Sequence, residues 1–262
     1  MTAVTVLEPS TGRQEEVCVP REEPVTLVLN GRELVTLLAS PGRRRELAAG
    51  FLFCEGLVRD PAQLVQIEED EAGVRVEATG VDLPLLLMEK RVVGSGCGKA
   101  VGFLTALDAF AAAARPRSAA LSSGRPWVQA SVLCAAAHAT FAGGGLYACT
   151  RGTHAAALFR RTGEMVALSE DIGRHNALDK VIGGRFLAGE SLADLFVVVT
   201  GRVSSEMVGK ILRTPIPLVV SKSVPTDTAV AQAARASLGL VACRGGQRLK
   251  VYTCPELVAS WN

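Results

Sequence analysis

Apolar and polar positions in the first ninety residues follow the pattern of a hairpin and then that of a helix. Apolar runs at residues 25–29 and 34–39 flank Asn30-Gly31, a dipeptide that tolerates positive φ and therefore predicts a tight hairpin turn. Between residues 47 and 57 the apolar positions recur at helical spacing, which predicts a helix. A second hairpin is expected to follow around an acidic turn. These elements predict a small α+β N-terminal subdomain over residues 1–92.

Strand and helix patterns alternate in the last part of the chain, where three short apolar runs rich in β-branched residues are typical of buried parallel strands. The three runs cover residues 195–199, 218–220 and 240–242. Capping residues, Ser204 or Ser205 and then Thr226, begin the helical segments between them. This alternation predicts an α/β domain with parallel strands, which we assign to residues 127–262.

The segment between these two parts, residues 93–126, is expected to hold a cysteine loop, a helix and a linker. Three glycines within residues 94–98 weaken helix and strand alike, so Cys97 is expected in an irregular loop. An alanine-rich stretch then predicts a helix, and the prolines, serines and glycine that follow it indicate a linker.

Length, composition and charge exclude several classes of protein. The 262 residues are 48% hydrophobic and 21% charged, which is typical of a globular chain and unlike a disordered or collagen-like one. The formal net charge of +2 is too small to indicate bulk nucleic-acid binding. No apolar run is long enough to cross a bilayer. Because the polar N-terminal stretch is unlike a signal peptide, we expect a cytoplasmic protein.

Cations follow each of the three predicted parallel strands, at the end where open α/β sheets bind ligands. Glycines or polar residues stand beside these cations. The cations and their neighbours are Arg202, Ser204, Lys222, Arg244, Gly245, Gly246, Gln247 and Arg248. The first two loops also begin helices, whose free N–H groups attract anions. The pattern is compatible with a phosphate or pyrophosphate site, or with solvated loop cations. The sequence contains no Walker A motif.

Titratable residues cluster just before and within the helix that precedes these strands. Asp171 can cap a helix that begins near Arg174, and His175 and Asp179 lie four positions apart, so the carboxylate could orient the imidazole. The alternative is an ordinary charged helix face at the surface. His154 stands in an apolar stretch, which suits a core or edge residue as well as a site residue.

Seven cysteines and three histidines limit the metal and redox chemistry that the sequence can support. A zinc deaminase needs both His-x-Glu and Pro-Cys-x-x-Cys, and neither is present. Cys97 differs from the other cysteines because glycines flank it and Lys90, Arg91 and Lys99 lie nearby. Positive neighbours lower the pKa of a thiol, so Cys97 is either a candidate nucleophile or an incidental loop cysteine.

Several motifs, each weak alone, occur together in one order along the chain. They are ELAAGFLFCEG at residues 46–56, SGCG at 95–98, THAAA at 153–157, EDIGRHNALDK at 170–180, GRVSSEMV at 201–208, SVPT at 223–226 and VYT at 251–253. Jointly they resemble the formate dehydrogenase accessory sulfur carriers, the FdhD family. The resemblance implies a cytidine-deaminase-like α/β/α fold, without the zinc motif, for the C-terminal domain.

The resemblance also implies a function and its residues. Members of the family accept sulfur from a cysteine desulfurase as a persulfide and pass it to the molybdenum or tungsten bis(molybdopterin guanine dinucleotide) cofactor of formate dehydrogenase. The persulfide would form on Cys97. Cofactor binding would involve Cys243, Arg244, Gly245, Gly246, Gln247 and Arg248, with phosphates held by Arg202, Ser204 and Lys222, and with His154, Asp171, Arg174 and His175 lining or organising the site. A homodimer is expected, because a cofactor with two nucleotide arms suits a two-fold site.

Two other functions stay open on the sequence. Many members of the family carry Cys-x-x-Cys in the loop, whereas this chain has Ala100 in the second cysteine position. That difference favours a chaperone that binds the guanine dinucleotide cofactor without sulfur chemistry, although transfer from a single cysteine is chemically sufficient. A zinc hydrolase related to the deaminases is the other alternative, and the small number of candidate ligands argues against it. The sequence predicts neither a nucleic-acid nor a membrane partner.

Overall fold

Two β-sheets and the helices packed on them make up the described part of the chain. The computed structural model describes residues 1–81, 92–93, 126–142, 144–244 and 248–260. Cys97, Ala100, most of the segment 93–126, and the triplet of Gly245, Gly246 and Gln247 lie outside the described residues, so what we infer about their placement stays a prediction. Within the described ranges, no helix has both the length and the apolar composition to cross a membrane.

The chain begins with a hairpin that the sequence pattern did not predict. Strands β1 (Thr2–Glu8) and β2 (Arg13–Val19) pair antiparallel without a register shift. The valines at positions 4, 6, 17 and 19 are half-buried, whereas the residues between them are exposed. This period of two belongs to a half-covered strand, but the many polar residues of the stretch obscure it.

The predicted N-terminal hairpins are confirmed, and both lie in one five-stranded sheet. Its strands are β3 (Glu23–Leu29), β4 (Arg32–Ala39), β5 (Leu64–Glu69), β6 (Gly73–Ala78) and β7 (Val92–Val93), in the order β5-β6-β3-β4-β7. Asn30 and Gly31 turn the first hairpin with φ values of 48° and 75°, the positive angles that this dipeptide tolerates. The predicted helix is α1 (Arg44–Cys54), which contacts β5 and β6 of this sheet.

The second large sheet has six strands and lies in the C-terminal half. After the short strand β8 (Val128–Gln129), its members are β9 (His154–Arg160), β10 (Met165–Asp171), β11 (Leu195–Val199), β12 (Leu218–Ser221), β13 (Gly239–Arg244) and β14 (Arg248–Thr253). They stand in the order β10-β9-β11-β12-β13-β14. The predicted parallel strands β11, β12 and β13 are confirmed, and β9 and β14 run antiparallel to their neighbours. β15 (Val258–Ala259) pairs with β8.

Helices cover both faces of the six-stranded sheet, so the described part of the chain is a mixed α/β structure. They are α2 (Ala130–Ala142), α3 (Gly145–Thr150), α4 (Arg174–Leu187), α5 (Ser205–Leu212) and α6 (Asp227–Arg235). One face of the sheet packs against α4, α5 and α6, and the other packs against α2. The core on the first face continues without a break through α1 to β3 and β4, so the N-terminal elements share it.

Glycines bring α1 and α4 into unusually close contact. A Cβ atom placed on Gly50 would lie 1.8 Å from the backbone oxygen of Asp179. A Cβ atom placed on Gly183 would lie 1.9 Å from the backbone oxygen of Glu46. Both distances are far below any van der Waals contact, so the crossing of these helices requires glycine on each side. This contact fixes α4, the helix that carries several predicted site residues, against the N-terminal part of the chain.

Candidate functional site

The carboxyl ends of four strands meet at one edge of the six-stranded sheet, here called the ligand edge. β10 and β11 are each antiparallel to β9, so β10 runs in the same direction as β11, β12 and β13. α4, α5 and α6 follow β10, β11 and β12, and therefore begin at this edge. β9 and β14 also start here, because His154 pairs with Asp171 and Arg248 pairs with Arg244. The edge thus gathers three helix N-termini, which favour anions.

The predicted site residues that the structure describes come together at the ligand edge. They are His154, Asp171, Arg174, His175, Arg202, Ser204, Lys222, Cys243, Arg244 and Arg248. Four of them, Arg202, Lys222, Arg244 and Arg248, are exposed cations on neighbouring loops and strand ends, and we call them the cation rim. Within the described residues, no member of the rim is paired with a carboxylate. Guanidinium and ammonium groups of this kind form strong hydrogen bonds with anions such as phosphate.

Aromatic rings hold one cation of the rim. The Lys222 ammonium lies 5.4 Å from the centre of the Phe141 ring and 5.9 Å from that of Tyr147. The guanidinium of Arg151 lies 5.2 Å from the same Tyr147 ring. Ring faces attract cations, so these contacts bring the ends of α2 and α3 to the ligand edge. Sequence reasoning missed Phe141 and Tyr147, because neither stands in a recognisable motif.

Behind the rim lies an inner cluster of less exposed polar side chains, formed by His154, Arg174, His175 and Ser204. Arg174 and His154 meet over Gly201, where an added Cβ would lie 2.9 Å from Arg174 Cβ and 3.4 Å from His154 Nδ1. Three buried atoms of the cluster, Arg174 Nε, His175 Nε2 and Ser204 Oγ, have no hydrogen-bond partner among the described residues. Buried polar atoms are normally satisfied, so this concentration of unsatisfied atoms marks a place where a ligand could supply the partners.

The two histidines of the inner cluster are uncharged at neutral pH. Burial lowers the pKa of His175 most, and with the nearby charges of Lys210, Arg174 and His154 it brings the pKa to about 3. Burial also lowers the pKa of His154, with Arg174 acting in the same direction and Asp171 opposing it. His175 Nε2 lies 3.4 Å from Glu206 Oε2, without a hydrogen bond. Because the imidazole is neutral, this proximity is a polar contact and not an ion pair.

Asp171 organises the start of α4 at the ligand edge and does not line the edge itself. Its two oxygens accept the N–H groups of Ser40 and Gly173 at 3.0 and 2.8 Å, and the side chain of Asn176 at 3.1 Å. The ammonium of Lys180 lies 2.7 Å away. Four donors occupy the lone pairs of this fully buried carboxylate, so it cannot also contact a cofactor. Asp171 instead holds the start of α4 against the segment that follows β4.

The expected pairing of His175 with Asp179 is wrong, and so is the alternative of a charged surface face. Asp179 is 1% exposed and binds Lys210 of α5, with both carboxylate oxygens within 3.0 Å of the ammonium. Lys180 is equally buried. The four-residue spacing does place His175 and Asp179 on one side of α4, but that side packs against α5, where Lys210 binds Asp179 and Glu206 lies near His175.

Two smaller expectations also need correction. The side chain of Cys243 is completely buried, and its sulfur lies 3.9 Å from that of Cys134. It faces the core under α2, so only its backbone is available at the ligand edge. Ser204 stands at the N-cap of α5, but its hydroxyl makes no capping hydrogen bond. Thr226 caps α6 as predicted, since its hydroxyl accepts the N–H of Ala229.

Glu170 has a role that the sequence did not reveal. Its carboxylate accepts the backbone N–H groups of Gly144, Leu146 and Tyr147 at 2.9–3.0 Å, and so fixes the start of α3. The cap arrives from a distant strand, so no local sequence signal could have predicted it.

Among the described residues, no three His, Cys, Asp or Glu side chains lie close enough together to hold a metal ion.

Fold and site together describe a mixed α/β protein with a cationic ligand edge on its C-terminal sheet. Residues 20–259 match the FdhD/NarQ family, so the chain belongs to that family. The sulfur carrier protein FdhD of Shouchella clausii is 35% identical over 92% of this chain and 89% of its own length. The protein of the same name from Bacillus subtilis is 34% identical over 90% and 88%. A crystal structure described as a formate dehydrogenase accessory protein of Desulfotalea psychrophila has a TM-score of 0.74 and 25% identity, covering 99% of this chain and 98% of that one.

Proposed function

We propose that the chain is a sulfur carrier required for formate dehydrogenase activity. It accepts sulfur from a cysteine desulfurase as a persulfide on Cys97 and passes it to the molybdenum or tungsten bis(molybdopterin guanine dinucleotide) cofactor. Membership of the FdhD/NarQ family and relatives named as sulfur carriers support the general role. The ligand edge supports the cofactor as the client, and it is the single observation that carries this part of the proposal.

The cation rim suits the phosphate-rich arms of the cofactor. Each guanine dinucleotide arm carries a pyrophosphate, and guanidinium groups match phosphate oxygens with two parallel hydrogen bonds. Arg202, Arg244 and Arg248 provide three such groups beside the N-termini of α5 and α6. Lys222 adds a point charge that Phe141 and Tyr147 hold in place.

The inner cluster would orient the cofactor that the cation rim attracts. Arg174 Nε and Ser204 Oγ are hydrogen-bond donors without a partner among the described residues. Acceptor atoms of the cofactor would satisfy them, which recovers the free energy that burying them unpaired costs. His175 is neutral and can hydrogen-bond a ligand without adding charge.

The chemistry proposed for Cys97 is a thiol–persulfide exchange. The Cys97 thiolate attacks the outer sulfur of the desulfurase persulfide, a new S–S bond forms, and the desulfurase cysteine leaves as a thiolate. The exchange needs no resolving cysteine, so Ala100 is compatible with it.

Three further features belong to the proposal. The six-stranded sheet with helices on both faces supports a cytidine-deaminase-like fold for residues 127–262. A homodimer would offer one ligand edge to each guanine nucleotide arm. The desulfurase, which donates the sulfur, and the formate dehydrogenase that receives the finished cofactor would both meet the carrier in the cytoplasm.

Activation of formate dehydrogenase in cells lacking their own carrier tests the proposal. Wild type should restore activity, Cys97→Ser should not, and Cys18→Ser should behave as wild type because it removes an exposed cysteine of the N-terminal hairpin. Full activation by Cys97→Ser would refute sulfur transfer and favour the cofactor chaperone. Equal soluble amounts of the three proteins, measured by immunoblot, control for folding.

A further inference from the structure

Two pairs of side chains cross between α4 and α5, one helical turn apart. His175 and Asp179 lie four residues apart on α4, as Glu206 and Lys210 do on α5. His175 Nε2 lies 3.4 Å from Glu206 Oε2, and Lys210 Nζ lies 2.8 Å from Asp179 Oδ2. The first pair is at the ligand edge, and the second lies one turn deeper. Spacing of four residues on both helices therefore couples the geometry of the two pairs.

Lys210 joins three helices through one ammonium group. It donates to both oxygens of Asp179 on α4 and lies 3.0 Å from Glu55 Oε1 at the end of α1. It also stands 5.0 Å from the centre of the Phe51 ring. Its side chain is only 8% exposed. Burial alone would lower the pKa of Lys210, but Asp179 and Glu55 outweigh burial and raise it, so the amine stays charged.

We infer that Lys210 is a positioning residue for the ligand edge: through its buried contacts with Asp179 and Glu55 it fixes where Glu206 faces His175, and its own charge acts on that imidazole. The inference rests on the proposed function only in treating this edge as the place where a ligand binds. An uncharged imidazole can hydrogen-bond a ligand at Nε2, whereas a charged one would be drawn to Glu206.

The groups around His175 show why Lys210 matters for its charge. Facing it are Lys210 and Glu206 from α5, Arg174 from its own helix and His154 from β9. After burial, Lys210 is the largest cause of the lowered pKa of His175, ahead of Arg174 and His154. Removing the charge of Lys210 should therefore make His175 easier to protonate.

Proton titration by NMR of the ligand-free full chain tests the inference. The chain has three histidines, so labelled histidine gives few signals, and a His175→Gln variant assigns one of them. The test variant is Lys210→Met with Asp179→Asn and Glu55→Gln, because removing the lysine alone would leave uncompensated buried carboxylates. We expect the acid dissociation constant of His175 to fall by about threefold to tenfold in this variant.

Arg213→Met is the matched control. Arg213 also links the end of α5 to α1, since its guanidinium donates to the backbone oxygen of Cys54 at 3.0 Å. The substitution removes a cation from the C-cap of α5 but should leave the titration of His175 unchanged. An unchanged titration in the folded triple variant, or an equal change in the control, would overturn the inference. Binding of guanosine diphosphate to wild type is measured separately, so a failure of the proposed function leaves this result interpretable.

Discussion

The contact between α1 and α4 gives a prediction whose size can be worked out from the structure. In Gly50→Ala, the new methyl would lie 1.8 Å from the backbone oxygen of Asp179, which no side-chain movement can relieve. α4 must move by about 1.5 Å to restore ordinary contact. Overpacking of this kind costs about 3 kcal/mol, and the better helix propensity of alanine returns about 1 kcal/mol. We expect the free energy of unfolding to fall by about 2 kcal/mol.

Thermal and urea unfolding of the full chain measure this change. For a chain of this length, a loss of about 2 kcal/mol lowers the unfolding midpoint by about 4–8 °C. Gly145→Ala is the control, because a Cβ on this helical glycine would meet nothing within 4 Å, and its stability should be unchanged or slightly raised. Gly183→Ala should repeat the loss from the other helix. The reasoning is refuted if Gly50→Ala and Gly145→Ala unfold at the same midpoint.

Three further predictions concern the site. Arg202→Ala combined with Arg244→Ala should weaken guanosine diphosphate binding by about tenfold or more and make the affinity less dependent on salt. Calorimetry at two salt concentrations measures both effects, and an unchanged affinity would count against the cation rim. Because the pKa of His175 is lowered to about 3, the unfolded chain takes up its proton first as pH falls below about 6.5. In wild type, this proton uptake should lower the free energy of unfolding by about 1 kcal/mol per pH unit between pH 6.5 and 5. His175→Gln should abolish this contribution, as measured by urea unfolding at several pH values. An identical pH dependence in both proteins would contradict the reasoning. Incubation with a cysteine desulfurase and cysteine should add the mass of one sulfur atom to wild type and none to Cys97→Ser in intact-protein mass spectrometry, and a gain in both would assign the persulfide elsewhere.

Local signals predicted much of the fold. Asn30-Gly31 indicated the first hairpin because the turn geometry depends on those two residues alone. The run at residues 195–199 indicated a strand buried on both faces, and every residue of β11 is buried. The N-terminal hairpin escaped prediction because only one of its faces is partly covered, and polar residues occupy the other.

The sequence predicted where the candidate site residues lie in the fold, but not which residues they contact. Strand ends and cations identified the ligand edge because the topology of parallel strands brings such loops together. The partners of Asp171 and Asp179 could not be predicted, since they come from Ser40 and from Lys210 on other elements. A helical segment with this many charged residues predicts a surface helix, because the sequence does not show the buried groups that neutralise those charges.

The bonds of Asp171 to the N-terminal part have a consequence for how the chain folds during synthesis. Ser40 and Asp171 are 131 residues apart, and the glycine contact between α1 and α4 spans a similar length. At a translation rate of about 5–20 residues per second, the N-terminal helix waits roughly 7–26 s for its partner to leave the ribosome. During that interval Phe53 of α1 lacks its cover from α4, because its ring stacks on Phe186 of that helix at 4.4 Å. Nascent chains of this protein should therefore engage holding chaperones, and slower translation should lengthen that engagement.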